Sequence, residues 1–352
     1  MFFNDLIFIL ILVVYSYFQN RFLINIINKR NITALSDNNF NKPQAFHEKS
    51  TSRLGGITFF SSLILVFLYM FFSKNIFYPE YISFCSLFFL LGLMDDFKIN
   101  LLPKFRLLIM GGFLIILVTS NGLYIELTGI AFLNRLLEID VFALIFISLC
   151  ILFIINGSNL IDGFNGLLGL HSLIIFTILF LINLTNENNN LAYIQFYLIL
   201  LTLIFLKFNF PKAQVFFGDS GAYLTGALIA VSVIKTSIFN PSISPFFFCI
   251  ILFYLFFEVF FSFFRKLFYV RQSPLLPDSQ HLHMKFYKFL LRKSNKKLKS
   301  NYLTSIYINL LYLVLLIPAV INMKDGIFCR YYFFSLLIIY IYFYKMLYKK
   351  VK

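Results

Sequence analysis

Residues 141–167 read VFALIFISLCILFIINGSNLIDGFNGL, a long apolar run followed by a short polar segment rich in asparagine and glycine. A helix needs about 20 apolar residues to cross a bilayer. Similar runs recur along the whole chain, roughly at 5–27, 54–73, 80–97, 105–120, 141–157, 166–183, 191–209, 220–236, 243–264, 301–322 and 330–348. The sequence therefore predicts an all-α integral membrane bundle of about eleven transmembrane helices. The apolar segment 123–133 is too short to span and is expected to be interfacial or re-entrant.

Composition supports this class. Of 352 residues, 60% are hydrophobic and only 13% are charged, which excludes a disordered chain and an ordinary soluble domain. The four cysteines have no metal-type spacing and predict neither a disulfide framework nor a zinc site. The first apolar run lacks a small-residue cleavage site, so we expect a retained span and not a removed signal peptide.

Basic residues predict the orientation. The net charge is +15, which in a membrane protein favours cytoplasmic loops over nucleic-acid binding. With the N-terminus outside, 25 of the 30 Lys and Arg residues fall on the inner side and 5 on the outer side. We therefore expect an outside N-terminus, a cytoplasmic C-terminus, and one transmembrane domain over 1–352 with a basic cytoplasmic loop at about 265–300.

The inner connections also carry the unusual polar clusters. Asp95 and Asp96 end the third apolar run, where a helix disfavours negative charge. Adjacent acids there can hold a divalent cation, or one can act as a base. Gly55 and Gly56 begin the second run, and they predict either amides exposed to an anion or close helix packing.

Two further clusters follow. If 156–162 is helical, Asn156, Asn159 and Asp162 share one face, and their oxygens suit Mg²⁺ or a polar ligand. Asp219 directly precedes the eighth run, and taken alone it is typical of a helix cap.

The long ninth loop contains His281 and His283 among ten basic residues. It fits either a basic surface on anionic lipid head groups or a phosphate-binding lid. Glu258 and Arg265 are seven residues apart on one helix face, which favours a structural ion pair. His47 and His171 have no evident partners and are interpreted as structural.

Together the stretches RLGG, GLMDDF, NGSNLIDGFNGL, NFPKAQVFFGDSG and PDSQHLHM resemble the polyprenyl-phosphate N-acetylhexosamine-1-phosphate transferases of glycosyltransferase family 4. The resemblance covers about 53–285 by motif. It implies that a UDP-HexNAc donates its sugar 1-phosphate to undecaprenyl phosphate on the cytoplasmic face of the bacterial inner membrane. The products would be undecaprenyl-diphosphate-HexNAc and UMP, and the lipid would initiate a surface glycan such as O-antigen or teichoic acid.

The resemblance also implies a magnesium cofactor, with manganese as a substitute, and a homodimer. It assigns catalytic roles to Asp95, Asp96 and Asp162, with Asp95 keeping the lipid phosphate deprotonated. The metal ligands would be Asp219 and Asn159. Nucleotide contacts would come from Asn209, Asp162 and Phe216, whose ring would stack on uracil. Phosphate contacts would come from His281, His283 and Arg106. Met284 stands where many members have a third histidine, so either His281 and His283 suffice or Lys285 takes the third role.

Three alternatives stay open. The phospho-N-acetylmuramoyl-pentapeptide transferases are the nearest branch, although the His-Leu-His loop favours a UDP-HexNAc donor. A transporter or flippase would place polar residues at mid-span in paired repeats, and the sequence shows neither. A structural subunit would leave the inner-side acids without a purpose.

Overall fold

The computed structural model describes residues 2–30, 36–37, 51–99, 102–125, 127–274 and 279–351. Two short strands, β1 (Ser36–Asp37) and β2 (Thr51–Ser52), pair in an antiparallel arrangement. The helices are α1 (Phe2–Arg30), α2 (Gly55–Lys74), α3 (Pro79–Asp96), α4 (Pro103–Asn121), α5 (Ala131–Leu137), α6 (Asp140–Ile161), α7 (Leu167–Thr185), α8 (Asn189–Asn209), α9 (Gly218–Phe239), α10 (Pro245–Ile251), α11 (Phe253–Phe264), α12 (Leu282–Ser294), α13 (Lys297–Ile321) and α14 (Gly326–Val351).

The architecture confirms an all-α polytopic membrane protein. Within the described ranges, nine helices are long and apolar enough to cross a membrane. Helix α10 and the helix that follows it, bent by 73° at their junction, add a tenth if the pair forms one broken span and not a re-entrant loop. The remaining predicted span, 80–97, is also a helix, α3. Its eighteen residues include three acidic side chains, those of Glu80, Asp95 and Asp96.

Two predicted connections contain ordered structure. The short segment at 123–133 leads into α5, a helix of seven residues. In the long loop predicted at 265–300, the chain makes a π-helical turn over Arg265–Val270 and later forms α12. On α12, Leu282, Met284 and Tyr287 are buried whereas Arg292 and Lys293 are exposed, as expected for an amphipathic helix.

Helix α9 is the centre of the bundle. It packs against α2, α3, α6 and α7, and nearly all its residues from Ser220 to Thr236 are buried. By contrast, most of the surface of α1 and α14 is exposed, and their exposed side chains are largely apolar. Apolar side chains on the outside of a helical bundle are suited to contact with lipid.

Small residues allow the helices to approach one another closely where α9 begins. A Cβ added at Gly56 would lie 2.4 Å from the Gly221 nitrogen, and one at Gly92 would lie 2.4 Å from the Asp219 carbonyl oxygen. The amides of Gly55 and Gly56 donate to the carbonyls of Phe216 and Phe217, at 2.9 Å each. This confirms the packing interpretation of the paired glycines, and the interpretation as amides exposed to an anion is wrong.

Candidate active site

Four chain segments meet at one end of the bundle: the entry to α2, the end of α3, the end of α6 and the start of α9. They bring together residues that are far apart in the sequence, which are Arg53, Asp95, Asp96, Asn159, Asp162 and Asp219. The predicted inner-side clusters therefore form one site.

Asp96 links the end of α3 to the start of α9 through hydrogen bonds. Its carboxylate is buried and accepts hydrogen bonds from the backbone N–H groups of Asp219 and Ser220, at 2.9 Å each. A carboxylate is favoured there because the first N–H groups of a helix lack partners and carry partial positive charge. Gly218 has φ +71°, and a Cβ at this position would lie 2.7 Å from both Asp96 oxygens. The Asp96 carboxylate thus fixes the backbone that presents Asp219.

Asp95 points to different partners. Its Oδ2 accepts from Arg106 Nη1 at 3.0 Å and from the Tyr223 hydroxyl at 3.4 Å. The Tyr223 hydroxyl also interacts with the Asn159 side chain. Tyr223 therefore links the ends of α3 and α6. Sequence reasoning missed it, although it lies one helical turn after Asp219 and so on the same face.

Asp219 and Asp162 make the site strongly acidic. The charge of Asp219 acts on Asp95, Asp96 and Asp162. Burial raises the pKa of the Asp162 carboxyl well above its ordinary value, the charges of Asp219 and Asp96 raise it further, and Arg53 opposes them. This accumulation of like charge favours a cationic ligand.

The residues of the site suit a Mg²⁺ ion that binds together with the phosphates of a substrate. Within the described ranges, no three His, Cys, Asp or Glu side chains form a metal-binding group. Magnesium usually takes only one or two carboxylates and completes its shell with water and substrate phosphates. Asp219 has a partly exposed side chain beside Asp162, so the two carboxylates satisfy that limited requirement.

Two residues predicted to contact the nucleotide lie at the next loop. Asn209 is buried, its Oδ1 accepts from the Gly166 amide at 2.6 Å, and its Nδ2 donates to the Val215 carbonyl at 2.8 Å. Both of its polar side-chain atoms thus join the loop after α6 to the loop before α9. Phe216 is half-buried, and its amide donates to the Ser52 carbonyl at 2.7 Å.

The predicted phosphate-binding histidines lie in a buried polar cluster. His281 Nδ1 is 3.2 Å from Glu258 Oε1, and His283 Nδ1 is 3.3 Å from the Tyr254 hydroxyl. The predicted Glu258–Arg265 ion pair is wrong. Glu258 accepts from the Leu282 amide at 2.8 Å, while Arg265 donates to Ser262 at 3.2 Å.

The histidine cluster adjoins the site through Phe164, two residues after Asp162. The Phe164 ring meets the His283 ring edge to face, with 5.7 Å between centroids. Lys285 lies on the other side of α12, with its Nζ 4.4 Å from the centre of the Tyr348 ring. His171 is buried and 3.1 Å from the Asn309 side chain, as its structural interpretation requires, whereas His47 lies outside the described residues.

Sequence comparisons agree with this arrangement. Residues 79–237, which include the acidic positions of the site, match the model of glycosyl transferase family 4. A probable undecaprenyl-phosphate N-acetylglucosaminyl 1-phosphate transferase of Bacillus subtilis is 28% identical over 256 residues, covering 69% of this chain and 67% of the relative. An undecaprenyl-phosphate alpha-N-acetylglucosaminyl 1-phosphate transferase of Thermotoga maritima is 27% identical over 241 residues, 68% of this chain and 69% of the relative.

The other named branch is also similar. A phospho-N-acetylmuramoyl-pentapeptide-transferase of Dictyoglomus turgidum is 31% identical over 195 residues, covering 53% of this chain and 59% of the relative. The matches to these three relatives thus leave 31–41% of each relative unaligned. Residues 79–237, which hold the acids of the candidate site, are therefore similar to glycosyl transferase family 4.

Proposed function

We propose that this protein transfers a HexNAc 1-phosphate from a UDP-HexNAc to undecaprenyl phosphate at the cytoplasmic face of the bacterial inner membrane. The products are undecaprenyl-diphosphate-HexNAc and UMP, and the product lipid initiates a surface glycan. The observation that carries the proposal is the meeting of Asp95, Asp162 and Asp219 with Arg53 and Arg106 at one end of the bundle.

The reaction exchanges one phosphoanhydride bond for another. An oxygen of the lipid phosphate attacks the phosphorus that bears the sugar, and the bond from this phosphorus to the oxygen of UMP breaks. UMP leaves with the bonding electrons. The barrier is mostly electrostatic because an anionic acceptor approaches an anionic donor.

The residues of the site reduce this repulsion. Bound Mg²⁺ would neutralise donor phosphate charge, and Asp219, together with Asn159 and Asp162, would hold it. Arg53 and Arg106 supply positive charge at the same end of the bundle. A phosphate monoester has a second pKa near 6, so the acceptor is already mostly dianionic at neutral pH. Asp95 therefore contributes more by orienting Arg106 than by removing a proton, and direct attack needs no phospho-aspartate.

The extent of the matches favours a HexNAc donor. The two relatives named for N-acetylglucosaminyl 1-phosphate transfer align with 68–69% of this chain, whereas the relative from the pentapeptide branch aligns with 53%. N-acetylglucosamine is accordingly the first sugar to test.

The test measures UMP release from purified protein in detergent with undecaprenyl phosphate, Mg²⁺ and one UDP-sugar at a time. Release with a UDP-HexNAc, abolished by EDTA and by Asp219→Asn, supports the proposal. Release only with UDP-MurNAc-pentapeptide moves the protein to the other branch. No release with any donor, from protein with a cooperative thermal transition, rejects the transferase proposal.

A further inference from the structure

Glu258 is a buried acid that the reaction above leaves unused. It lies on α11 with 1% of its surface exposed. Its Oε1 accepts from the Leu282 amide at 2.8 Å and lies 3.2 Å from His281 Nδ1. Its Oε2 accepts a hydrogen bond from the Tyr340 hydroxyl of α14. One carboxylate thus connects α11, the start of α12 and α14.

Glu258 also determines how the two imidazoles are presented. An Nδ1–H held by a carboxylate fixes both the tautomer and the orientation of a histidine ring. The bond to Glu258 therefore turns the Nε2 edge of His281 away from α11. The rings of His281 and His283 are parallel within 3°, with centroids 5.5 Å apart. The two imidazoles are consequently oriented as a unit.

We propose that Glu258 is a positioning residue, which holds His281 in the orientation that contacts the donor diphosphate. This rests on the proposed function, because the diphosphate is the ligand. The cluster is next to the site, since His283 packs on Phe164. The His281 side chain is still 3% exposed, so a small part of the ring is accessible.

A purely structural role makes a different prediction. Glu258 accepts from the first amide of α12, so its loss also weakens a helix start. If capping α12 were its only role, variants of Glu258 would lose stability, and their affinities for UDP and for uridine would fall by the same factor. A positioning residue instead affects the diphosphate selectively, because in the proposed arrangement His281 contacts the diphosphate and not the uridine.

The experiment compares the dissociation constants of UDP and of uridine, by competition against a labelled UDP-sugar, for the full-length protein and its variants. We expect Glu258→Leu to weaken UDP binding by about ten-fold or more, the scale of a lost charge-assisted hydrogen bond, with uridine unchanged within two-fold. Glu258→Gln keeps an acceptor and should fall between Glu258→Leu and the parent. Equal losses for UDP and uridine would overturn the proposal.

Two further variants keep the test decisive if Glu258→Leu does not fold. Tyr340→Phe removes only the hydroxyl that donates to Glu258, and we expect a smaller loss with the same selectivity for UDP. In a double-mutant cycle, Glu258→Gln should add nothing to His281→Ala if it acts through that ring. Full additivity would contradict the proposal.

The matched control is Glu80→Gln, which breaks another ion pair, with Lys235 at 3.0 Å, at the opposite end of the bundle. It should leave both dissociation constants unchanged.

Measurements on the parent protein distinguish a failure of the proposed function from a failure of the positioning role. If it neither binds UDP nor releases UMP, the proposed function fails. If it does both and the Glu258 variants match it, the positioning role alone fails.

Discussion

At the scale of single residues, two adjacent aspartates have different tasks. Both Asp96 oxygens accept backbone amides of α9, whereas Asp95 pairs with Arg106. The sequence predicts that the pair is unusual, because two carboxylates end an apolar helix. It cannot distinguish them, because the partners come from residues 106, 219 and 220.

Asp96→Ala should therefore act through the fold. It leaves two buried N–H groups without an acceptor, at a cost of about 1–3 kcal/mol each. We expect the melting temperature to fall by several degrees and UMP release to be lost. Cys85 and Cys329 are buried and react with a thiol-specific dye only when the protein unfolds. The temperature at which their labelling begins therefore measures thermal unfolding.

Asp219→Asn is the contrasting change, because only the Asp219 backbone is bonded to Asp96. We expect UMP release to fall at least about a hundred-fold, which is about 2.7 kcal/mol in the barrier, with an unchanged melting temperature. A matching loss of stability in Asp219→Asn would mean that this residue is structural too.

Asp162 links stability to pH. Its pKa is raised in the folded protein, so the unfolded chain ionises it at a lower pH than the folded protein does. Above the ordinary carboxyl pKa, near 4, Asp162 therefore destabilises the folded state, which must either keep the proton or bury the charge. Asp162→Asn removes this penalty.

We thus expect Asp162→Asn without ligands to melt a few degrees above the parent at pH 8. The difference should shrink as the pH is lowered towards 4 and disappear below it, where both states of the parent are protonated. Melting curves at several pH values check this. A difference that is independent of pH would show that the charge of Asp162 is not its cause.

At the scale of elements, the site exists because α2, α3 and α9 approach closely. Sequence predicts each helix from its apolar run and places acids at helix ends. The approach itself depends on Gly56, Gly92 and Gly221, whose missing side chains make room for the facing backbone. A glycine in a sequence does not reveal which backbone will face it.

Gly92→Ala should separate α3 from α9. Its new Cβ would lie 2.4 Å from the Asp219 carbonyl oxygen, and a core that cannot relax loses about 1–3 kcal/mol from such overpacking. We expect a lower melting temperature and loss of activity, since the carbonyl that must shift belongs to Asp219. UMP release and dye labelling measure both effects.

Gly112→Ala in α4 is the control. No atom lies within 4 Å of its added Cβ, and alanine favours a helix more than glycine by up to about 1 kcal/mol. This variant should be as stable as the parent or slightly more so, with full activity. Equal losses of stability and activity from Gly92→Ala and Gly112→Ala would contradict the close-packing explanation.

At the scale of the whole molecule, the site lies at one end of the bundle and other polar networks lie at the opposite end. There Asp5 pairs with Lys74, and Asn183 bonds to Gln195 and Thr236 between α7, α8 and α9. The distribution of Lys and Arg predicts that the end with the site faces the cytoplasm.

This orientation is testable by cysteine labelling in intact cells, in a Cys249→Ser background. A membrane-impermeant maleimide should label Asn189→Cys, which lies at the start of α8 and is exposed. It should label Lys296→Cys, also exposed but at the other end, only after the membrane is permeabilised. The reverse pattern would invert the topology and place the acids of the site outside.

The sequence by itself determined the class of the protein, the position of its helices and which residue types gather near one membrane face. Apolar periodicity and charge are local properties, and lipid imposes them on each span separately. Only the tertiary structure decided that Asp96 anchors α9, that Tyr223 joins Asp95 to Asn159, and that Glu258 holds His281 and not Arg265. Those partnerships depend on which helix ends meet, and that is set by packing between segments as far as 128 residues apart.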